Sequence, residues 1–174
     1  MNARRLWPRI LIIVGSVGML VGAIDPIEGA LLILPGSGLV ALGTFLGRAE
    51  RRLIAYRFWV FILIAIGVGA SLWLSMRGGF GGPGGRSNWW GVLVLPYLIG
   101  WSMGIWGPAS PRWVLWLGIG VGLWYLTLCG TVLKHSVPHY WTEANLPAIA
   151  IAAIGLLTIG GCINRLRKRI RAQQ

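Results

Sequence analysis

Acidic side chains are nearly missing from this sequence: four Asp and Glu stand against 16 Lys and Arg in 174 residues. Charge of either sign is scarce, at 11% of residues, where a soluble domain carries about a quarter. At the same time 56% of the chain is hydrophobic, more than the interior of a soluble fold this small can hide. A lipid bilayer sets no such limit. Cysteine is limited to Cys129 and Cys162, too few for a disulfide framework. They fall near opposite faces of an apolar layer about 30 Å thick, so no bond between them is expected. Nothing requires an oxidising compartment. Ionisable side chains are also lacking inside the apolar runs, which argues against a proton-driven pump or antiporter. It weighs less against a passive pore, which can use carbonyls and hydroxyls.

What is present is a series of apolar runs at about 10–24, 29–47, 58–76, 89–107, 113–133 and 146–163. A spanning helix needs about 20 residues, with roughly 17 as the lower limit. The reading is an all-α integral membrane protein, a single transmembrane domain over 1–174 built as a polytopic bundle of six transmembrane helices. The first run is short, and two alternatives to it stay open. Residues 10–24 behind Arg4, Arg5 and Arg9 also fit the apolar core of a signal peptide, with Val21-Gly22-Ala23 as the cleavage site. A re-entrant hairpin over the first 47 residues is the other. Trp7 and Pro8 favour an interfacial helix start instead.

The net charge of +12 suggests nucleic acid until its placement is considered. The basic residues sit in short clusters between apolar runs, as orientation signals do. With both termini cytoplasmic, the inner segments hold Arg4, Arg5, Arg9, Arg48, Arg51, Arg52, Arg57, Arg112, Arg165, Arg167, Lys168, Arg169 and Arg171 against Glu50 alone. The outer loops balance Arg77, Arg86 and Lys134 with Asp25, Glu28 and Glu143. This is the positive-inside pattern of a bacterial inner (plasma) membrane protein, and no nucleic-acid partner is expected. The basic tail Arg165, Arg167, Lys168, Arg169 and Arg171 also suits anionic lipid headgroups.

A repeat runs beneath this. Each even-numbered span reads as beginning with Leu-Pro and has a glycine eight residues after the proline: Leu34-Pro35 to Gly43, Leu95-Pro96 to Gly104 and Leu146-Pro147 to Gly155. Among odd runs, Ile66-Gly67-Val68-Gly69 recurs as Ile119-Gly120-Val121-Gly122. The pattern suggests three pseudo-repeated hairpins, against the background of coincidence in a glycine-rich apolar chain.

The 27 glycines need a reason, since each costs about 1 kcal/mol in a helix relative to alanine. Gly18/Gly22, Gly43/Gly47, Gly100/Gly104 and Gly118/Gly122 form GxxxG spacings that let backbones approach closely. They predict tight packing within the chain or self-association through those faces. Most of the 11 tryptophans fall at run ends, where interfacial anchors belong. Trp73, Trp101, Trp116 and Trp124 lie deeper, serving helix packing, lipid contact or a pocket for a quinone, carotenoid or lipid. No cofactor is required.

Candidate chemistry lies on the outer side. Asp25 and Glu28 form the first outer turn, read as a cap for the second helix or as a ligand-binding turn. His135, His139 and Glu143 are spaced at four, a spacing that on a helix suits a divalent metal, although Pro138 opposes a continuous helix. Leu34-Pro35-Gly36-Ser37-Gly38 reads either as the true start of the second helix or as a break at membrane depth, where transporters bind solutes. Ser37 between glycines, with six helices and histidines on the same side, resembles the rhomboid proteases and implies a nucleophilic serine. The match departs where Pro35 replaces the first glycine of Gly-x-Ser-Gly and where both histidines lie in a loop.

The functional expectation is a small non-enzymatic inner-membrane protein, a structural or accessory subunit of a membrane complex or a homo-oligomer, with the lipid bilayer and other membrane subunits as partners. The alternative is a facilitator or pore for a small solute or ion with its site at Asp25, Glu28 and Ser37. An intramembrane hydrolase stands third.

Overall fold

The computed structural model describes residues 3–24, 29–78, 88–135 and 146–173, with the backbone path alone for 3–5, 88, 89, 91, 132–135 and 146–148. Among the described residues six α-helices follow one another: α1 (Ala3–Gly22), α2 (Ala30–Leu46), α3 (Arg51–Met76), α4 (Leu95–Trp106), α5 (Arg112–His135) and α6 (Leu146–Arg171). A 3₁₀ helix, Asn88–Val94, leads into α4. No strand occurs among the described residues. Three helices are long and apolar enough to cross a membrane: Arg51–Met76, Arg112–Thr131 and Ile149–Arg171. Leu6–Gly22, Ala30–Leu46 and Val92–Trp106 are apolar but shorter. The 17 residues of α2 extend about 26 Å at 1.5 Å per residue, just under the thickness of a hydrocarbon core.

The most extensive interfaces join α1 to α2, α5 to α6 and α3 to α4. Connection length alone does not set this: α4 and α5, joined by the short link at 107–111, share a far smaller interface than α3 and α4, whose link runs over 77–94. The bundle is three successive hairpins, tied together by α2 on α3 and α4 on α6. Hydrophobic packing centres on Met19, Ile33, Ile64, Trp101, Ile105 and Leu115, all nearly inaccessible.

Glycine decides how closely the helices approach. A Cβ on Gly22 would stand 2.6 Å from the Gly29 carbonyl oxygen, and one on Gly43 2.8 Å from that of Pro8. On Gly122 it would stand 2.9 Å from the carbonyl oxygen of Gly155. All eight GxxxG glycines face helices of this same chain, so the close packing they supply is internal. Gly69, Gly120, Gly130 and Gly160 meet nothing within 4 Å.

The two halves of the apparent repeat behave differently. Gly43, Gly104 and Gly155 each sit at a helix contact. Leu95-Pro96 and Leu146-Pro147 each open a helix, as proline prefers. In the odd helices the echo is out of phase. Gly67 lies against the Tyr97 backbone while its counterpart Gly120 faces open space, and Gly69 is open where Gly122 is packed.

Pro35 neither starts nor breaks α2; the helix begins at Ala30 and runs through it. As the sixth residue, Pro35 removes one backbone bond, the one to Leu31, and the helix tolerates this loss near its end. Gly36 is needed for contact rather than for unwinding: a Cβ there would lie 2.8 Å from the Gly15 carbonyl oxygen of α1. Pro8 is likewise the sixth residue of α1, which begins at Ala3 rather than at the proline.

Candidate functional site: a basic cleft at one end of the bundle

The up-and-down path brings the start of α1, the end of α2, the start of α3, the α4–α5 link and the end of α6 to one end of the bundle. Arg57 is the centre of this end. It lies one turn and a half into α3 and is only 5% exposed, the one charged side chain in the core among the described residues. Its partners are carbonyls, not carboxylates. Nη1 donates to the Gly104 oxygen at 2.8 Å, and Nη2 donates to the Pro108 oxygen at 2.9 Å and to Ser110 Oγ at 3.1 Å. Ser110 Oγ in turn donates to the Gly104 oxygen at 3.4 Å. The adjacent Tyr56 hydroxyl donates to the Met103 oxygen at 2.8 Å.

The physical reason is the end of α4. Its last four carbonyls have no intrahelical donors, and the helix macrodipole makes this end partly negative. Tyr56 and Arg57 therefore cap α4 from a neighbouring helix, which offsets the burial of a cation with no carboxylate beside it. Trp101 plays the same part for α1, its Nε1 donating to the Met19 oxygen at 2.9 Å.

Beside Arg57 opens a cleft of about 840 Å³. Arg9 of α1 and Arg48, just beyond α2, also line it, together with Pro8, Ile12, Val40, Leu46 and Leu53. Among the described residues no carboxylate lines it. Glu50, exposed and next in sequence to the lining residue Ala49, is the only acidic side chain among the described residues.

Two lining residues hold a backbone that L side chains rarely adopt. Arg48 has φ 49° and Ala109 φ 61°. At Arg48 the cause is a Schellman turn closing α2: Ala49 N–H donates to the Thr44 oxygen and Arg48 N–H to the Phe45 oxygen. The residue in the left-handed position of that turn is normally glycine, and the glycine here, Gly47, comes one residue early. Ala109 lies in the tight link from Gly107 to Ser110, closed at 3.4 Å. Strain of this kind costs about 1–3 kcal/mol and is concentrated on the cleft wall. Arg48→Gly is accordingly expected to raise thermal stability by about 1 kcal/mol. Melting in detergent checks this, and a destabilised variant would mean that the arginine side chain itself holds the turn.

The residues singled out by sequence reading do not converge. Ser37 is 3% exposed, and its hydroxyl donates to the Leu34 oxygen of its own helix at 2.8 Å. Asp25, Glu28, His139 and Glu143 lie outside the described residues, and His135 is described only as the end of α5. Cys129 and Cys162 are both free thiols. In the basic tail, Arg167, Lys168 and Arg171 are exposed, whereas Arg169 is half-buried and donates to the Ser110 oxygen at 2.6 Å. Arg112 donates to Gln173 Oε1 at 2.7 Å. The deep tryptophans form no common pocket. Trp101 is core against Tyr125, with ring centroids 5.6 Å apart, while Trp116 and Trp124 face outward. Trp73 stacks near Trp90 under the Arg77 guanidinium.

Arg57 counted in the sequence reading only as an orientation charge at the edge of the third run. No local signal separates it: Arg112 likewise directly precedes an apolar run of more than ten residues, and only the α4 and link carbonyls that face Arg57 set it apart. The chain matches no family model, no curated protein and no solved structure.

Proposed function

We propose that the chain is a multi-pass inner-membrane protein of six spans with both ends in the cytoplasm, acting as a non-enzymatic structural or accessory subunit of a membrane complex or as a homo-oligomer. One observation carries the reading. Large apolar side chains stay exposed along every described helix, among them Val14, Leu31, Phe58, Ile99, Trp116 and Leu157, while Ser16, Ser37, Thr44, Ser102 and Thr158 are buried. That is the inverse of a water-soluble bundle and suits a lipid solvent.

The three shorter helices complete the count. α1 is taken as a retained span, not a leader, because its Met19 backbone accepts from Trp101 and its Gly15 and Met19 cover Gly36. The thirteen basic residues assigned to the cytoplasm belong to segments that share one end of the bundle. The facilitator reading has less support, since it relied on a broken helix at 35–38 and α2 is continuous there.

Thiol labelling tests the topology. In a Cys129→Ala/Cys162→Ala background, a cysteine at Gln173 is expected to stay protected from an impermeant reagent in intact cells, and one at Gly78 to react. The reverse pattern would overturn the orientation. A pull-down in mild detergent tests the role: a partner at fixed stoichiometry, or a defined homo-oligomer, is expected. A lone monomer that passes solute in liposomes would replace the accessory reading with the facilitator.

A further inference from the structure

We propose that the Arg9–Arg48–Arg57 cleft is a binding site for a phosphate-bearing anion. Three arginines line one cavity from α1, from the turn after α2 and from α3, and no carboxylate lines it among the described residues. Uncompensated positive charge gathered in a concave, partly apolar wall is the arrangement that holds an anion. Guanidinium supplies planar paired donors suited to phosphate oxygens. Arg57 has five N–H donors, of which three are engaged with Gly104, Pro108 and Ser110. Two remain for a ligand, on a side chain whose position is already fixed by α4.

The strained backbone points the same way. At Arg48 a glycine would satisfy the turn at lower cost, yet the chain holds an arginine at φ 49° on the cleft wall. Ala109, also in the left-handed region, lines the same cleft. Stored strain at a shared wall marks a place where geometry serves something besides stability.

The size of the cavity narrows the ligand. About 840 Å³ exceeds the needs of a bare phosphate and falls in the range of small-molecule sites. Ile12, Val40, Leu46 and Leu53 give it an aliphatic side next to the cations. Charge and aliphatic surface together suit a phosphate ester on an amphiphile, such as a phospholipid headgroup with its glycerol, and basic clefts between helices at a cytoplasmic face hold such groups. Free phosphate shares the same recognition chemistry. The site stands whether or not the protein is an accessory subunit.

The test uses the full chain purified in mild detergent, with two probes: phosphatidylglycerol against phosphatidylcholine by native mass spectrometry, and radiolabelled inorganic phosphate by equilibrium dialysis. The variants are Arg9→Gln/Arg48→Gly, which leaves the α4 cap intact, and Arg167→Gln/Lys168→Gln, which removes two exposed charges elsewhere. Wild type is expected to retain one phosphatidylglycerol, or to bind one phosphate. The cleft variant should bind about thirtyfold more weakly, the effect of two basic residues, and the tail variant should bind as wild type. Retention of the lipid alone identifies a headgroup site, and phosphate binding alone a soluble-anion site. Binding of neither probe, or equal losses in both variants, overturns the proposal. The melting curve of the cleft variant separates a lost site from a lost fold.

Discussion

Arg57→Ala is expected to lower the melting temperature of the detergent-solubilised protein by about 6–12 °C. The substitution strips a charged donor from the Gly104 and Pro108 carbonyls and from Ser110 Oγ, all at the buried end of α4. Hydrogen bonds to charged groups contribute about 1.5–3 kcal/mol each, so a total loss of about 3 kcal/mol is a conservative estimate. For a chain of this size that corresponds to roughly 2–4 °C per kcal/mol. Arg57→Lys recovers only part of the loss, because an ammonium on a flexible stem cannot span three acceptors held in a planar fork. Arg52→Ala, at an exposed position one turn earlier, stays within about 0.5 kcal/mol of wild type. Equal melting of Arg57→Ala and Arg52→Ala would show that the cap is dispensable and that Arg57 is only an orientation charge.

The second large effect separates two glycines two residues apart. A Cβ on Gly67 would overlap the backbone nitrogen and Cα of Tyr97, where α4 crosses α3. Main chain cannot move aside as a flexible side chain can, so Gly67→Ala forces the helices apart. Overpacking costs about 1–3 kcal/mol, and the figure at a backbone contact belongs at the upper end. Gly69→Ala meets nothing within 4 Å and gains up to about 1 kcal/mol of helix propensity. The two single variants are therefore expected to shift melting in opposite directions. Movement in the same direction would mean that α3 and α4 do not cross at Gly67.

Helix content was legible in the chain because hydrophobic run length is a property of consecutive residues. α3, α5 and α6 follow the runs at 58–76, 113–133 and 146–163; α3 and α6 are extended by about two turns of more polar helix, α5 by only a residue or two at each end. The Leu-Pro signals at 95 and 146 marked helix starts correctly. The same dipeptide at 34 misled, since a proline six residues into a helix loses one bond whether or not another helix lies alongside. Whether Gly36 unwinds or packs is decided by Gly15, twenty-one positions away. The candidate sites fared worse for a related reason. Ser37 drew a nucleophile or solute-site reading from its place between glycines, but Gly36 packs against α1 and Gly38 faces Phe61 of α3.

Composition, run length and charge placement alone were enough to establish an apolar helical chain with its cations collected at alternate turns. These are one-dimensional quantities, set by how much apolar surface each segment carries and where charge interrupts it. Which cations share a cleft is a different matter. Arg9 lies 39 residues before Arg48, and Arg57 nine residues after it; the three share a cleft only because α1, α2 and α3 pack together through glycine contacts. Arg57 differs from its exposed neighbours Arg51 and Arg52 not in type or local context but in the open carbonyls of α4 that face it. Those carbonyls lie about fifty residues further along the chain, so only the packing of α3 on α4 could turn an orientation charge into a buried cap and the wall of a site.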